Sequence, residues 1–326
     1  MNVIRRDLEK IRCIMRYTAI IMMLFSVFTV TKSVKAETVG FEIKDGVLIE
    51  YYGRDDVVII PDMVTVIGED AFESRKYITD VIMPDTIKSI EESAFFQCER
   101  LKTVKFSDSL TKIGMGAFSK CSSLTEINIP SSVDYIGAGA FYACTKLEKV
   151  TYAGSLTGVG ASAFSETLWM SNQQKQSALV TLGNVLIDGE KCKGAVDIPY
   201  KIKIIGDGAF ENNREITGIT IPKSVITIGD RALSGCQGLK KVTIPKSVTS
   251  IGAYALSDCS KLTSISIPSS VTYIGQYAFQ NTPWLAAKVK KKPLVVVNDI
   301  VIDGSKCKGQ VTVPKSVKLI SDSAFV

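Results

Sequence analysis

The side chains able to do chemistry in this chain are its thiols, a few adjacent carboxylates and one lysine run; there is no histidine among the 326 residues. Without imidazole, Ser-His-Asp and Cys-His nucleophilic catalysis and the commonest zinc ligand sets are excluded. No Cys-x-x-Cys pair, phosphate-binding glycine loop or EF-hand loop occurs. Asp55-Asp56 and Glu91-Glu92 are neighbours in sequence without evident partners, which fits turns or surface better than acid–base catalysis. Lys288 to Lys292 (Lys-Val-Lys-Lys-Lys) reads as a solvated loop, with an anionic-ligand site as the alternative. No cofactor or metal is expected, and no enzymatic activity; a hydrolase built on two distant carboxylates is the least favoured reading.

The thiols divide into two sets. Cys98, Cys121, Cys144, Cys236 and Cys259 recur at one place in a repeated pattern, which predicts an interior ladder of small apolar side chains. Coils stacked as parallel strands lie about 4.8 Å apart. Parallel side chains at that spacing leave Cβ atoms beyond the usual ~3.5–4.5 Å of a disulfide. Free, inert thiols are expected. Cys192 and Cys307 each sit between two lysines, a setting that predicts greater exposure and a lowered thiol pKa, with a reactive or pairing role as a further option.

A basic opening (Arg5, Arg6, Lys10, Arg12, Arg16), an apolar run over Tyr17–Val30 and a small residue at Ala36 predict a secretory signal over residues 1–36. Its apolar run is shorter than the roughly 20 residues of a membrane-spanning helix; a retained signal anchor is the alternative. Cys13 precedes the run and cannot be a lipid-acceptor cysteine that would follow it. Removing this segment lowers the formal net charge from +6 to +1. Nothing then favours nucleic acid, and no membrane span is expected after cleavage.

The elements that must position these residues follow from a repeat of 23. Pro61, Pro84, Pro130, Pro199, Pro222, Pro245, Pro268 and Pro314 share one 23-residue grid, with Ser107 and Ala153 on two further grid points. A unit so short cannot bury its apolar residues alone, so copies must stack into a solenoid. After Pro130 come Val133, Ile136, Gly137, Ala140, Phe141, Cys144, Leu147 and Val150. The stretch before each proline, such as Leu124 to Ile129, alternates apolar and polar residues and predicts a short strand; proline, lacking an N–H, ends it. The Val-x-x-Ile-Gly segment turns a corner. Ala-Phe-x-x-Cys-x-x-Leu, with apolar spacings of three, predicts one helical or 3₁₀ turn.

The recurring Ile-Pro-x-x-Val-x-x-Ile-Gly-x-x-Ala-Phe-x-x-Cys-x-x-Leu resembles the BspA-like, or Treponema-type, leucine-rich repeats over residues 61–164, 199–282 and 314–326. Glu91 and Ser321 depart from it at the glycine position, and Arg75 and Asn213 at the cysteine position. The resemblance implies an α/β, β-rich leucine-rich-repeat solenoid with a concave parallel sheet. It also implies export to the cell surface or beyond, binding of proteins or surfaces, and no enzyme.

The formula lapses between Phe164 and Pro199 and between Phe279 and Pro314, yet the grid survives both gaps. The gaps match each other: Trp169 with Trp284, and Ile187-Asp188-Gly189-x-Lys191-Cys192-Lys193-Gly194 with Ile302-Asp303-Gly304-x-Lys306-Cys307-Lys308-Gly309. Gly46-Val47-Leu48-Ile49 is a looser third copy. Asp-Gly flanked by apolar alternation predicts a hairpin turn, so each gap reads as a β-hairpin replacing a coil. The expected organisation is a signal (1–36), a hairpin cap (37–60), a repeat block (61–168), a hairpin interruption (169–198), a second block (199–283), a second interruption (284–313) and the start of a further repeat (314–326). Trp169 and Trp284 either plug the preceding coil or form an exposed aromatic platform.

The expected binding face is what the pre-proline strands show to solvent: Lys102, Lys105, Glu126, Asn128, Lys149, Thr151, Thr220, Lys241, Thr243 and Ser266. Thr151, Thr220, Thr243 and Ser266 would share one hydroxyl column, which β-propensity alone also explains. A polar face of mixed charge suits an extracellular or cell-surface protein or glycan better than a small molecule. The expected function is adhesin-like binding by a secreted or surface protein. A passive spacer that presents another domain is the rival, and it would gain if a longer parent continued beyond Val326.

Overall fold

The computed structural model describes residues 39–326; the expected signal over residues 1–36 and Cys13 lie outside them. The protein is a β-solenoid of about 12 turns of about 23 residues, and each regular coil supplies two short strands. The first precedes the proline, or Ser107 and Ala153 at its grid place: Asp80–Ile82, Thr103–Lys105, Glu126–Ile129, Lys149–Tyr152. Period-two alternation turns Val81 and Ile127 inward and leaves their neighbours facing solvent. The second is the dipeptide before the glycine: Val66–Ile67, Ser89–Ile90, Lys112–Ile113, Tyr135–Ile136 and Gly158–Val159. These stack in parallel register, Ile67 on Ile90, Ile113, Ile136 and Val159 in turn.

Each stack of dipeptide strands opens on an antiparallel hairpin. Phe41–Lys44 and Val47–Tyr51 lead the first seven-stranded sheet; Val180–Leu182 and Val185–Asp188 lead a six-stranded one; Val295–Val297 and Ile300–Asp303 lead a three-stranded one. In all three, the second hairpin strand pairs in parallel with the first dipeptide strand of the coil that follows.

The Ala-Phe-x-x-Cys wall forms consecutive tight turns, not the helical or 3₁₀ turn that its spacing suggests. Bonds such as Cys121 N–H to Phe118 O (3.2 Å) close each turn. Two positions per coil adopt positive φ, for instance Ser93 and Gln97, then Gly116 and Lys120, then Gly139 and Ala143. Those left-handed residues tip alternate N–H groups towards the next coil, where Phe95 donates to Ala117 (2.7 Å), Phe118 to Ala140 (2.7 Å) and Phe141 to Ala163 (2.8 Å). A continuous helix would direct the same N–H groups back into its own turn. The apolar spacing of three is common to both conformations, so it could not separate them.

The interior follows from this ladder. Phe72, Phe95, Phe118, Phe141 and Phe164 are buried and stack ring on ring at 4.6–5.3 Å. Phe210, Leu233, Leu256 and Phe279 occupy the same place in the second block. The glycine before this wall is demanded by close approach: a Cβ on Gly137 would lie 2.5 Å from the Gly114 carbonyl carbon and the Met115 nitrogen. Glu91 holds the glycine place without loss of pairing, its side chain directed to Lys112 (2.7 Å). Ser321 does so buried, donating to Ile274 O (2.7 Å).

The interruptions contain more than hairpins. A nine-residue helix, α1 (Leu168–Gln176), precedes the first, and α2 (Pro283–Lys291) the second. Their N-caps are Thr167 and Thr282, which stand 23 residues after Cys144 and Cys259. Each threonine hydroxyl accepts from the N–H three residues on, Met170 or Leu285. Lys288–Lys291 therefore ends α2 instead of lying in a loop, a favourable place for cations beside the terminal carbonyls. The hairpin turns are Gly183-Asn184 and Asn298-Asp299, not Asp188-Gly189 and Asp303-Gly304, which end the second strands.

Candidate binding faces

All ten residues expected on the binding face are exposed: Lys102, Lys105, Glu126, Asn128, Lys149, Thr151, Thr220, Lys241, Thr243 and Ser266. Parallel register aligns them across coils. Lys149 stands on Glu126 with an ion pair of 2.8 Å, and Thr151 on Asn128, donating its hydroxyl at 2.8 Å. In the second block Lys241 stands beside Ser264 and Thr243 beside Ser266. Thr220 aligns with Asp197, and α1 holds the intervening grid point between Thr151 and Asp197. The hydroxyl column is thus split among three short sheets. The ion pair is exposed and supplies at most about 1 kcal/mol; its effect is to fix where charge is presented.

The amino-terminal end of the same face was not among the expected residues. Val57 and Ile59 face outward from Val57–Ile59, with Ile59 beside Ile82 on the next strand. All three are exposed, and Tyr52 lies exposed nearby in sequence. The unbroken run Val57-Val58-Ile59-Ile60 carried the signal, because a strand with one face in water should alternate.

Trp169 and Trp284 are buried, at 7 % and 9 % exposure, so they form no aromatic platform. Each lies early in its helix and packs on the last phenylalanine of the preceding block, Phe164 at 5.0 Å or Phe279 at 4.9 Å. Lys288 caps the outer side of Trp284, its Nζ 4.8 Å from the ring centre.

The seven described cysteines are free. The ladder set is buried, and each thiol donates to a carbonyl of the coil below: Cys98 to Phe72 (3.1 Å), Cys121 to Phe95 (3.2 Å), Cys144 to Phe118 (3.0 Å), Cys236 to Phe210 (3.1 Å), Cys259 to Leu233 (3.2 Å). Burial pushes the Cys98 and Cys259 thiols up to about 12. The two departures at this position keep the donor role. Arg75 Nε donates to Tyr51 O (2.5 Å), and Asn213 Nδ2 donates to Gly189 O and Cys192 O (both 2.9 Å). Cys192 does not match its expectation. It is buried, bonded to Ala178 O (3.3 Å), and burial raises its pKa instead of lowering it. The flanking lysines point to solvent and leave the thiol inside. Cys307 is half-buried.

Three of the four adjacent carboxylates have structural partners. Tyr51 Oη donates to Asp55 (2.8 Å), Asp56 accepts from Val57 N (3.0 Å), and Glu91 meets Lys112. Burial and the Asp55 hydrogen bond push Tyr51 up to about 12. Among the described residues no cluster of acidic or thiol side chains could hold a metal, and no helix is long and apolar enough to cross a membrane.

Residues 56–186 and 190–294 match the BspA type leucine rich repeat region in six copies. A Treponema pallidum leucine-rich repeat protein of known structure is 20 % identical, with 78 % of this chain and 93 % of that one covered and a TM-score of 0.36. A leucine-rich cell surface protein from Faecalibacterium prausnitzii is 24 % identical over 75 % and 90 %, TM-score 0.32. A Bacteroides capillosus leucine-rich repeat protein is 36 % identical over 35 % of this chain and 93 % of its own, TM-score 0.32. No curated protein matches. Repeats matched over most of the described residues, with the grid, thiol ladder and phenylalanine stack they share, place the chain in the family of BspA-type leucine-rich repeat proteins.

Proposed function

We propose that this protein is an exported, adhesin-like recognition module that binds an extracellular or cell-surface protein or glycan through the solvent face of its pre-proline strands. The observation that carries it is that face itself. Five successive strands from Val57–Ile59 to Lys149–Tyr152 present an open strip about 19 Å long at ~4.8 Å per strand. Along it the surface passes from exposed Val57, Ile59 and Ile82 to Lys105, Glu126, Asn128, Lys149 and Thr151. An apolar end beside an ordered charged and hydroxyl-bearing end is the composition of a protein-binding patch. The basic, apolar leader supports export. The regularity of the coils favours a passive spacer as the competing reading.

Residues 37–326, immobilised against a panel of extracellular-matrix and cell-surface ligands, should bind at least one in a salt-sensitive manner. Ile59→Asp with Lys149→Glu should abolish that signal while leaving circular dichroism unchanged. Uniform failure to bind would favour the spacer.

A further inference from the structure

In every regular coil three alternate N–H groups of the turn wall bond the coil above. Gly139, Phe141 and Ala143 donate to Ala161, Ala163 and Ser165 at 2.9, 2.8 and 3.0 Å. The grid would have Ser162, Phe164 and Glu166 do the same one step later, but the chain there leaves the wall for α1 and the Val180–Asp188 hairpin. Those three N–H groups have no protein acceptor among the described residues.

The next wall in space belongs to Gly208–Asn212. It meets the earlier coil directly at one corner, where Asp207 N donates to Val159 O (3.2 Å). Beyond that corner the walls part around a cavity of about 400 Å³, lined by Ser162, Phe164, Glu166, Gln174, Asp188 and Glu211 among others. On the far side the Ala209 carbonyl takes the Gly189 N–H (2.7 Å), whereas the Glu211 carbonyl receives no backbone donor. One rung of the turn ladder is missing, and the donors and acceptor that would hold it line the notch.

The second interruption repeats the arrangement. Tyr254, Leu256 and Asp258 donate to Gln276, Ala278 and Gln280 at 2.8–2.9 Å, while the N–H groups of Tyr277, Phe279 and Asn281 have no acceptor among the described residues and line a cavity of about 540 Å³. The two notches differ in charge. Lys290 and Lys306 border the second. The first carries Glu166, Asp188, Glu190 and Glu211. The cations facing these are Lys191, 2.8 Å from Glu190, and Arg231, 3.7 Å from Glu211; Tyr142 and Gln174 donate neutral hydrogen bonds to Glu166 and Asp188. Four carboxylates against two cations leave this notch anionic.

The geometry points to the first notch as a docking site for a short basic peptide segment of a partner protein, whose backbone supplies the missing rung. Its alternate carbonyls would accept from Ser162, Phe164 and Glu166, as those of Ala161, Ala163 and Ser165 do from the coil before. That acceptor set spans residues 161–165, so about five residues of the partner enter. A lysine or arginine among them meets Glu166 and Glu211 at the open side. This site lies on the turn wall and is independent of the strand face proposed above.

The probe is a fluorescein-labelled, terminally blocked Gly-Ala-Gly-Ser-Lys peptide, which keeps the turn residues of the Gly116–Lys120 rung, omits its inward phenylalanine because Trp169 already covers Phe164, and carries its cation at the exposed Lys120 place. Titrated into the whole protein, it should bind saturably by fluorescence anisotropy. Replacing the amide after the peptide's alanine, whose carbonyl takes the Phe164 N–H, with an E-alkene isostere should weaken it at least about fivefold, the effect of one backbone hydrogen bond. Glu166→Lys with Glu211→Lys should weaken it at least about tenfold through charge repulsion. Ser171→Phe, which crowds the notch from the exposed side of α1, should also weaken binding without touching the wall.

Amide exchange gives a second readout in the unmodified protein. Phe164 and Glu166 should exchange faster than Phe141 and Ala143 when free, and slow when the peptide is bound. No saturable binding up to about 1 mM, the weak limit of specific recognition, overturns the proposal. So does binding that the alkene replacement and charge reversal both leave unchanged, or a dimer that protects the same amides without peptide. Loss of ligand binding by Ile59→Asp with Lys149→Glu would bear on the strand face alone.

Discussion

Phe141→Ala tests the physical basis of the stack, and its cost can be worked from the neighbours. The ring is fully buried between Phe118 at 5.3 Å and Phe164 at 5.2 Å. Phe→Ala in a core costs about 3–5 kcal/mol, and the figure rises with the volume that cannot collapse. Collapse is resisted here, because the backbone around the site is fixed at coil spacing by Phe118 N to Ala140 O (2.7 Å) and Phe141 N to Ala163 O (2.8 Å). The two ring contacts add about 0.5–1.5 kcal/mol each beyond burial. A loss at the upper end, about 4–5 kcal/mol, is expected. Phe141→Leu is the matched control, since Leu233 and Leu256 already fill this place, fully buried, in the second block. It should cost less than alanine, about 1–3 kcal/mol, because the two ring contacts are lost while an apolar side chain still fills most of the site.

The chain carries its own reporters, its two tryptophans, one against Phe164 and one against Phe279. In a nearest-neighbour solenoid damage is felt first locally. In guanidinium titrations, Phe141→Ala should lower the Trp169 midpoint (read in Trp284→Phe) more than the Trp284 midpoint (read in Trp169→Phe). A destabilisation below about 1 kcal/mol, or Leu costing as much as Ala, would refute the claim that a rigid ladder holds the cavity open.

Thiol labelling of the native protein should modify Cys307 first, with Cys192 and the five ladder thiols reacting only on unfolding; equal rates by mass spectrometry would contradict their burial. Asn213→Ala strips donors from Gly189 O, Glu190 O and Cys192 O and an acceptor from Glu215 N. It should cost about 2–4 kcal/mol in denaturant melts, several buried groups each losing a partner, and a change under 1 kcal/mol would show the second block is anchored otherwise. Asp207 is pushed up to about 6, chiefly by burial, with the Asp230 N–H lowering it and the Asp230 charge raising it. Its folded pKa lies above the unfolded value near 3.9, so its contribution is greatest below about pH 4, falls as pH rises to about 6 and is flat beyond. Asp207→Asn, which keeps an acceptor for Asp230 N (2.8 Å), should be more stable than wild type at pH 8 by about 1–2 kcal/mol after solvent screening. Parallel stability curves for the two proteins between pH 4 and 6 would refute that assignment.

The solenoid was legible because stacking repeats one constraint at every coil. Phe118, Phe141 and Phe210 had to point inward for a 23-residue unit to be stable at all, and they do. The exposed residues from Lys102 to Ser266 were legible for the same reason, since alternation on a half-buried strand assigns each face. What escaped was conformation that alternation does not encode. Apolar spacing of three fits a helical turn and a pair of tight turns equally. Asp188-Gly189 has the composition of a hairpin turn, yet Gly183-Asn184 makes it, because Val185–Asp188 must first pair with Ile204–Ile205. Lysines beside Cys192 said nothing about which way the thiol points.

The interruptions show how little sequence is needed to leave the ladder. At the cysteine place, a thiol donates downward to the preceding coil. Arginine at 75 and asparagine at 213 do the same with longer donors, and the coil continues. Thr167 and Thr282 put a hydroxyl there that donates instead to a carbonyl in the same coil, Phe164 or Phe279, at 2.7 Å, while accepting from the helix it begins. The bond between coils becomes a bond within one, and the following residues are released from the wall into α1 or α2. The tryptophan two residues later then covers the phenylalanine left at the end of the stack. Thr167→Cys tests whether that substitution is the switch. If cap chemistry selects the helix, the variant should lose helical signal at 222 nm and about 1 kcal/mol of stability, the value of a threonine cap. A variant with α1 intact would place the decision in Trp169 and its packing.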